Sequence, residues 1–332
     1  MIPSGDTASG ASAGFETRAM GSPLRLTFGG QPGRPGAADR WWSAVVDEFE
    51  LAEEAMSRFR DSSELTALNR AAGTDVVAHP SVRLRDALTA ADRAHRITAG
   101  RFDPRVLVDL DRLGYPGAAL DRSGSTEPRD DARSREDRVV ERVSRDGLTI
   151  ARPIDLGGIG KGLALRWAAA ILARRGARDF LLEAGGDLVA RGRDPDGVRW
   201  QIGVEDPAGD DDLAVIAVSD LAVATSSIRV HRWSVDGRVV HHLLDPRTGE
   251  PADGGLVAVT VVGPDPAWAE VWSKVLFLAG RHAIADEARS RGLAAWWVTD
   301  DGMLEMTPAA RTRTIWVAAE AGQEPRGPSL TR

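Results

Sequence analysis

Residues 157–162, Gly157-Gly158-Ile159-Gly160-Lys161-Gly162, set four glycines and a lysine directly ahead of a helical pattern that opens at Leu163. Glycines this dense leave backbone N–H groups open to a ligand. The start of a helix carries partial positive charge that favours phosphate, and Lys161 adds a full charge at the same place. A second glycine pair, Gly185-Gly186, precedes Asp187 and follows an apolar strand pattern at Phe180-Leu181-Leu182. Bare backbone at a strand end accepts a flat ring. Together the two stretches describe a site for a planar, phosphorylated ligand. The first is neither a G-x-x-x-x-G-K-[ST] loop, since no Ser or Thr follows Lys161, nor a G-x-G-x-x-G dinucleotide fingerprint. A glycine-rich turn that only packs a helix on a sheet is the other reading of the same residues.

The lysines carry a second signal. Of 42 basic residues only Lys161 and Lys274 are lysines; the other 40 are arginines. Against that bias, a lysine marks a place where a compact point charge serves and a planar fork does not, so both are site candidates. A formal charge of −7 and a pI near 5.5 argue against nucleic acid and anionic membrane as partners. With no cysteine in the chain, disulfides, thiolate metal sites, a cysteine nucleophile and a lipidated anchor are all excluded. No apolar run approaches the ~20 residues that span a bilayer. The opening MIPSGDTASGASAG lacks the basic and apolar regions of a secretory signal, so a soluble, cytoplasmic protein is expected. Ten tryptophans beside one tyrosine leave room for an aromatic interface, as in a homodimer.

Residues 1–14 are expected to be a disordered tail, and Leu24 to Phe28 alternates like an edge strand. Residues 40–58 place Trp41, Val45, Phe49, Ala52 and Met56 at helical spacing, and Ser62 or Ser63 is a natural N-cap for a short helix beyond. Val82–Ile97 is amphipathic. Residues 101–104 form a turn into 106–110, 117–138 a solvated, charged loop, and 139–154 two strands about Arg145-Asp146-Gly147. Short strands follow Asp187, with turns at Asp196-Gly197 and Asp236-Gly237. Residues 239–244 form a strand carrying His241 and His242, and 256–262 an apolar strand. A helix starts after Pro264 and Pro266; helix 283–291 and strands 294–298 and 314–317 close the chain. Antiparallel strand groups with inserted helices give an α+β fold with mixed, mainly antiparallel sheets. The expected organisation is one domain over 15–320, in two lobes, with a flexible tail over 321–332.

Seven segments recur in an order that matches a known family: MSRFRDSSELTALN (56–69), GRFDPRVLVDL (100–110), DLGGIGKG (155–162), EAGGDL (183–188), ATSS (224–227), HHLLDPRTG (241–249) and AEVWSKVLFLAG (269–280). Over residues 40–280 the chain resembles the FAD:protein FMN transferases, the ApbE-type flavin transferases. The resemblance implies a T-fold-like architecture and transfer of the FMN half of FAD to a Thr or Ser hydroxyl of an acceptor protein, with AMP leaving. It also implies Mg²⁺ at the pyrophosphate, and an acceptor carrying a short segment with Gly, Ser and Thr.

By the same resemblance, Gly158 belongs to the loop that holds FAD, Lys161 lies against the pyrophosphate or a flavin carbonyl, and Gly185, Gly186 and Asp187 contact the ring. Phe59 stands beside the flavin. Ser63, Glu64, Asn69 and Asp103 are carried over as FAD-binding, as are Thr225 and Ser226, with Ser227 in place of a glycine. Asp155 braces the loop. His242, in H-x-x-D-P, lies near the acceptor hydroxyl and suits a general base; His241, on the other side of the strand, is structural. The departure is at the metal. The family's Asp and Thr ligands read here as Glu270 and Lys274, with Gly160 supplying the loop carbonyl. An (i, i+4) pair faces one way, but an ammonium has donors only and ligates no cation. The expectation is therefore that Lys274 sits in the metal's place, oriented by Glu270, and that metal dependence is weak or absent. His242, Lys274 and Glu270 are the catalytic set on this reading. FAD hydrolysis to FMN and AMP, or FAD binding without catalysis, are the alternatives.

Overall fold

The structure, a computed structural model, describes residues 14–30, 35–115, 138–229 and 231–318. The tails expected over 1–14 and 321–332 and the charged loop expected over 117–138 lie outside the described residues, apart from Gly14 and Arg138.

Along the chain, β1 (Gly14–Ala19) and β2 (Ser22–Phe28) form a hairpin turned at Met20-Gly21, both in positive φ. Leu24, Leu26 and Phe28 of β2 point into the core at two-residue spacing. Because β2 also pairs with a later strand, the edge is β1, and the edge position expected for residues 24–28 is corrected. Helix α1 (Ala37–Met56) buries Val45, Phe49, Ala52 and Met56. Helix α2 (Glu64–Arg70) is capped by Ser63, whose hydroxyl accepts from the Thr66 N–H, and α3 (Val82–Ile97) by Ser81 in the same way. A 3₁₀ turn, Pro104–Val106, enters α4 (Leu107–Arg112).

A small hairpin, β3 (Glu141–Arg142) and β4 (Leu148–Thr149), precedes α5 (Gly160–Arg174). Then come β5 (Phe180–Ala184), β6 (Asp187–Arg191), β7 (Trp200–Glu205), β8 (Asp212–Val218) and β9 (Leu221–Ser227). Hairpin β10 (Arg232–Val235) and β11 (Arg238–His241) turns on Asp236-Gly237, both in positive φ as a type I′ turn requires. Two-residue strands β12 (Leu244–Asp245) and β13 (Glu250–Pro251) pair with each other. The chain closes with β14 (Leu256–Gly263), α6 (Pro266–Ala279), α7 (Ile284–Ser290), β15 (Ala294–Thr299), β16 (Leu304–Met306), α8 (Pro308–Arg311) and β17 (Thr314–Val317).

The main sheet has eight strands in the order β1-β2-β5-β6-β9-β14-β15-β16, and every described pairing is antiparallel. Helices α1, α3, α5 and α6 cover one face of it with Val45, Phe49, Leu88, Leu163, Val271 and Val275. A second sheet, β17-β8-β7, covers the other with Trp200, Ile216 and Val218 against Leu188, Val223 and Trp296. The expected α+β class holds, as helices, sheet and sheet in layers. The Asp196-Gly197 turn joins β6 to β7, which lie in different sheets, so it is not a hairpin turn between paired strands. Among the described residues no helix is long and apolar enough to cross a membrane.

This stacking sets three backbone features side by side: the start of α5, the β5–β6 turn at Gly185-Gly186, and the middle of α6. Helix α5 can approach α6 closely because residue 162 is glycine. A Cβ there would fall 2.5 Å from Ala267 Cα and 2.6 Å from the Pro266 carbonyl oxygen.

Candidate active site

Lys161, the second residue of α5, reaches two buried carboxylates. Its Nζ pairs closely with Asp187 Oδ2, and lies 3.1 Å from Glu270 Oε1. Lys274, one turn along α6 from Glu270, donates to the same Oε1 at 3.3 Å. Glu270 Oε2 accepts the Gly162 N–H at 2.8 Å, and Asp187 Oδ1 accepts the Thr225 N–H at 3.1 Å. The glycines at the β5–β6 turn adopt positive φ and lie exposed beside this cluster, while Asp187 is buried at the next position.

Burial works against charge on all three innermost groups, and their neighbours decide the outcome. For Lys161, Asp187 and Glu270 outweigh burial and hold the ammonium above the ordinary lysine range. For Glu270, Lys161 and Lys274 outweigh burial and lower its pKa. For Asp187, burial prevails over Lys161 and, helped by the nearby Glu270, raises its pKa.

A divalent cation does not fit this donor set. All four oxygens of Asp187 and Glu270 already accept from an N–H or an ammonium, and two positive charges face Glu270. Among the described residues no group of three or more His, Cys, Asp or Glu is arranged to hold a metal. Gly160 is the first residue of α5, where its carbonyl is directed into the helical i+4 bond. Glu270 and Gly160, which the resemblance puts at the metal, are thus engaged within the protein.

His242 lies one residue beyond β11, so the strand expected over 239–244 breaks there. There the His242 backbone N–H continues the β10–β11 pairing to the His231 carbonyl oxygen, and its Nδ1 approaches the same oxygen, both at 3.3 Å. A carbonyl only accepts, so Nδ1 carries the proton and Nε2 is left as an acceptor. The His231 ring packs edge-on at 5.0 Å, and beyond it stand Tyr115 and Trp233. Burial pushes the His242 pKa down to about 3, with His231 and Lys274 acting in the same direction. His231 is also lowered, by burial and then by Lys161 and Lys274. The two lysines and the two histidines therefore share one electrostatic field. His241 points elsewhere: its Nε2 donates to the Ala252 carbonyl at 3.1 Å and its ring packs on Phe277, the structural role expected of it.

The glycine loop is held from behind. Asp155 Oδ1 accepts the Gly157 N–H at 2.8 Å and lies 3.3 Å from Arg58 Nε, while the Asp155 N–H donates to the Pro104 carbonyl at 2.7 Å. The loop brace expected of Asp155 is thus present. Asn69 donates to the Ile154 carbonyl and accepts the Ile154 N–H, both at 2.9 Å. Asp103 pairs with Arg105 at 2.9 Å, with His95 alongside, all three buried. Ser63 caps α2, and Glu64 accepts the Ser81 N–H at 2.6 Å. Ser63, Glu64, Asn69 and Asp103, read from the sequence as FAD-binding, thus make bracing contacts to the protein. Thr225 is exposed beside Asp187, but Ser226 is buried and bonds Ser273 at 2.7 Å under α6.

Phe59 is 63% exposed, with the Arg58 guanidinium 4.0 Å from its ring centroid and 5.0 Å from that of Tyr115. Arg58, Tyr115 and His231 are the residues that sequence reasoning misses. Tyr115 is the one tyrosine of the chain, a signal as conspicuous as the two lysines. Arg58 gives no sign among 40 arginines.

A helical layer on an antiparallel sheet, with two lysines, two buried carboxylates and glycines gathered at one helix start, defines a layered α+β protein with a charged cluster at that helix. Residues 20–297 match the model of the ApbE family, and the chain belongs to that family. It is 26% identical over 313 residues to the FAD:protein FMN transferase of Salmonella typhimurium, covering 90% of this chain and 88% of that one. To the FAD:protein FMN transferase of Vibrio cholerae it is 27% identical over 296 residues, covering 86% and 87%. The solved structure of the ApbE protein of Thermotoga maritima superposes with a TM-score of 0.79 at 25% identity, over 91% of this chain and 99% of that one.

Proposed function

We propose that this chain transfers the FMN half of FAD to a Ser or Thr hydroxyl of an acceptor protein, releasing AMP. Phe59 and the backbone of Gly185-Gly186 receive the flavin ring. Gly158, Lys161 and Lys274 face the pyrophosphate. His242 Nε2 takes the proton of the acceptor hydroxyl as its oxygen attacks the flavin-side phosphorus. One P–O bond forms there and the pyrophosphate P–O bond breaks, so the leaving AMP carries the bridging oxygen. The ammoniums stabilise the charge that builds on the phosphoryl oxygens, and Asp187 and Glu270 keep them in place.

The observation that carries this reading is His242. Its Nδ1 is tied to a carbonyl and its Nε2 left as an acceptor, in the field of Lys274 and beside His231. The likeness to the Salmonella and Vibrio transferases along most of the chain supports it. The test is incubation with FAD and a panel of peptides bearing one Thr flanked by Gly and Ser, read by mass spectrometry. A phosphodiester-linked FMN adduct on Thr with stoichiometric AMP is the expected result. FMN and AMP without adduct on any peptide would point to hydrolysis instead.

A further inference from the structure

We propose that the Lys274 ammonium does at the substrate's pyrophosphate what a divalent cation would otherwise do, so that this chain binds and cleaves FAD without metal. The inference rests on the flavin-transfer reading above. Four observations meet at this residue. The donor set leaves a metal no free carboxylate oxygen. Of the two lysines, Lys161 contacts both carboxylates, whereas Lys274 contacts Glu270 alone, and through an oxygen that it shares. Lys274 therefore keeps donors for a phosphate.

Its stem is held by the glycine loop itself. A Cβ on Gly158 would lie 3.4 Å from Lys274 Cδ, 3.5 Å from its Cε and 2.9 Å from the Phe102 ring. The ammonium is thus delivered beside the backbone that meets the phosphates, from a helix position fixed by Glu270. Finally, the chain spends a lysine here when nearly every other cation is arginine. A compact ammonium substitutes for a small ion where a planar guanidinium does not.

The test is FAD affinity, followed by quenching of flavin fluorescence in EDTA and in Mg²⁺, for the wild-type chain, Lys274→Thr and Lys274→Met. AMP release and covalent FMN are assayed in the same buffers with a Thr-bearing peptide added. Wild-type affinity should agree within about twofold between the buffers, while Lys274→Thr loses about tenfold in EDTA and recovers with Mg²⁺, having gained a ligand oxygen. Lys274→Met should lose about tenfold in both buffers. Wild-type affinity or AMP release that depends on Mg²⁺ overturns the inference, and so does Lys274→Met binding FAD like the wild type. FAD binding that needs Lys274 and no metal, but without AMP release when the Thr-bearing peptide is present, upholds Lys274 in binding and overturns both metal-free cleavage and flavin transfer. AMP release with covalent FMN that requires Mg²⁺ overturns the role of Lys274 and upholds flavin transfer.

Discussion

Glu270 on α6 accepts the backbone N–H of Gly162 on α5 at 2.8 Å, so a carboxylate from one helix serves as a cap for the first turn of the other. The same carboxylate also takes both lysines, which makes it the hinge between helix packing and site charge. Glu270→Gln should cost about 3 kcal/mol, since it leaves the Lys274 ammonium without its carboxylate and Lys161 with Asp187 alone, both largely out of water. Urea unfolding monitored by circular dichroism checks this, and a loss under 1 kcal/mol, the range of an exposed pair, would show the pairing to be incidental.

Gly162 makes that contact possible, because its missing Cβ lets α5 touch the start of α6. Gly162→Ala should therefore destabilise the fold by roughly 1–3 kcal/mol and weaken FAD binding as the helices part. Gly176→Ala meets no neighbour but sits at positive φ. It should lower the melting temperature with little change in FAD affinity, and the comparison separates site geometry from general stability.

His242 gives a signed pH effect. Unfolded, its pKa is the ordinary 6.5; folded, burial holds it down to about 3. As pH falls below 6.5 the unfolded chain takes up a proton that the folded one refuses, so the stability contribution is whole above 6.5 and drains away toward 3. The urea midpoint of the wild type should drop more steeply between pH 7 and pH 5 than that of His242→Gln. In turnover, an anionic pyrophosphate offsets the lysines, so the acid limb of kcat should lie at higher pH than that of kcat/KM. Coincident limbs would contradict this electrostatic coupling.

Phe59 is exposed and sits under Arg58 without filling the core. Phe59→Ala should leave the melting temperature within a few degrees of the wild type and raise the FAD dissociation constant by about tenfold, the scale of a lost stacking contact with ordering around it. Isothermal titration of FAD decides it.

Much of this site is legible in the sequence because local physics writes it there. The glycine loop, the Gly185-Gly186-Asp187 turn and the (i, i+4) pair Glu270–Lys274 each declare themselves through backbone freedom or helical spacing. Val82–Ile97 buries the apolar residues Leu84, Ala87, Leu88, Ala91 and Ala94 that its period marks. What stays hidden depends on contacts distant in sequence. Residues 24–28 read as an edge because β1 lies in a small, polar stretch that offers little apolar alternation. Asp103 and Ser226 are carried over as ligand groups by resemblance; Ser226 is engaged by Ser273 on α6, whereas Asp103 is held by Arg105 nearby in the chain and by His95. The strand expected over 239–244 ends at His241, and the contact of His242 Nδ1 with the His231 carbonyl across the β10–β11 hairpin has no local spacing to announce it.

The central claim is that His242 drives a hydroxyl onto the flavin-side phosphorus of FAD. Its most direct test is AMP release from FAD, with a Thr-bearing acceptor present, by the wild type and by His242→Asn under conditions where both bind FAD equally. Release and covalent flavin should fall together by about 10²-fold or more in the variant, the usual scale for loss of a general base. Equal release from both proteins would contradict the assignment.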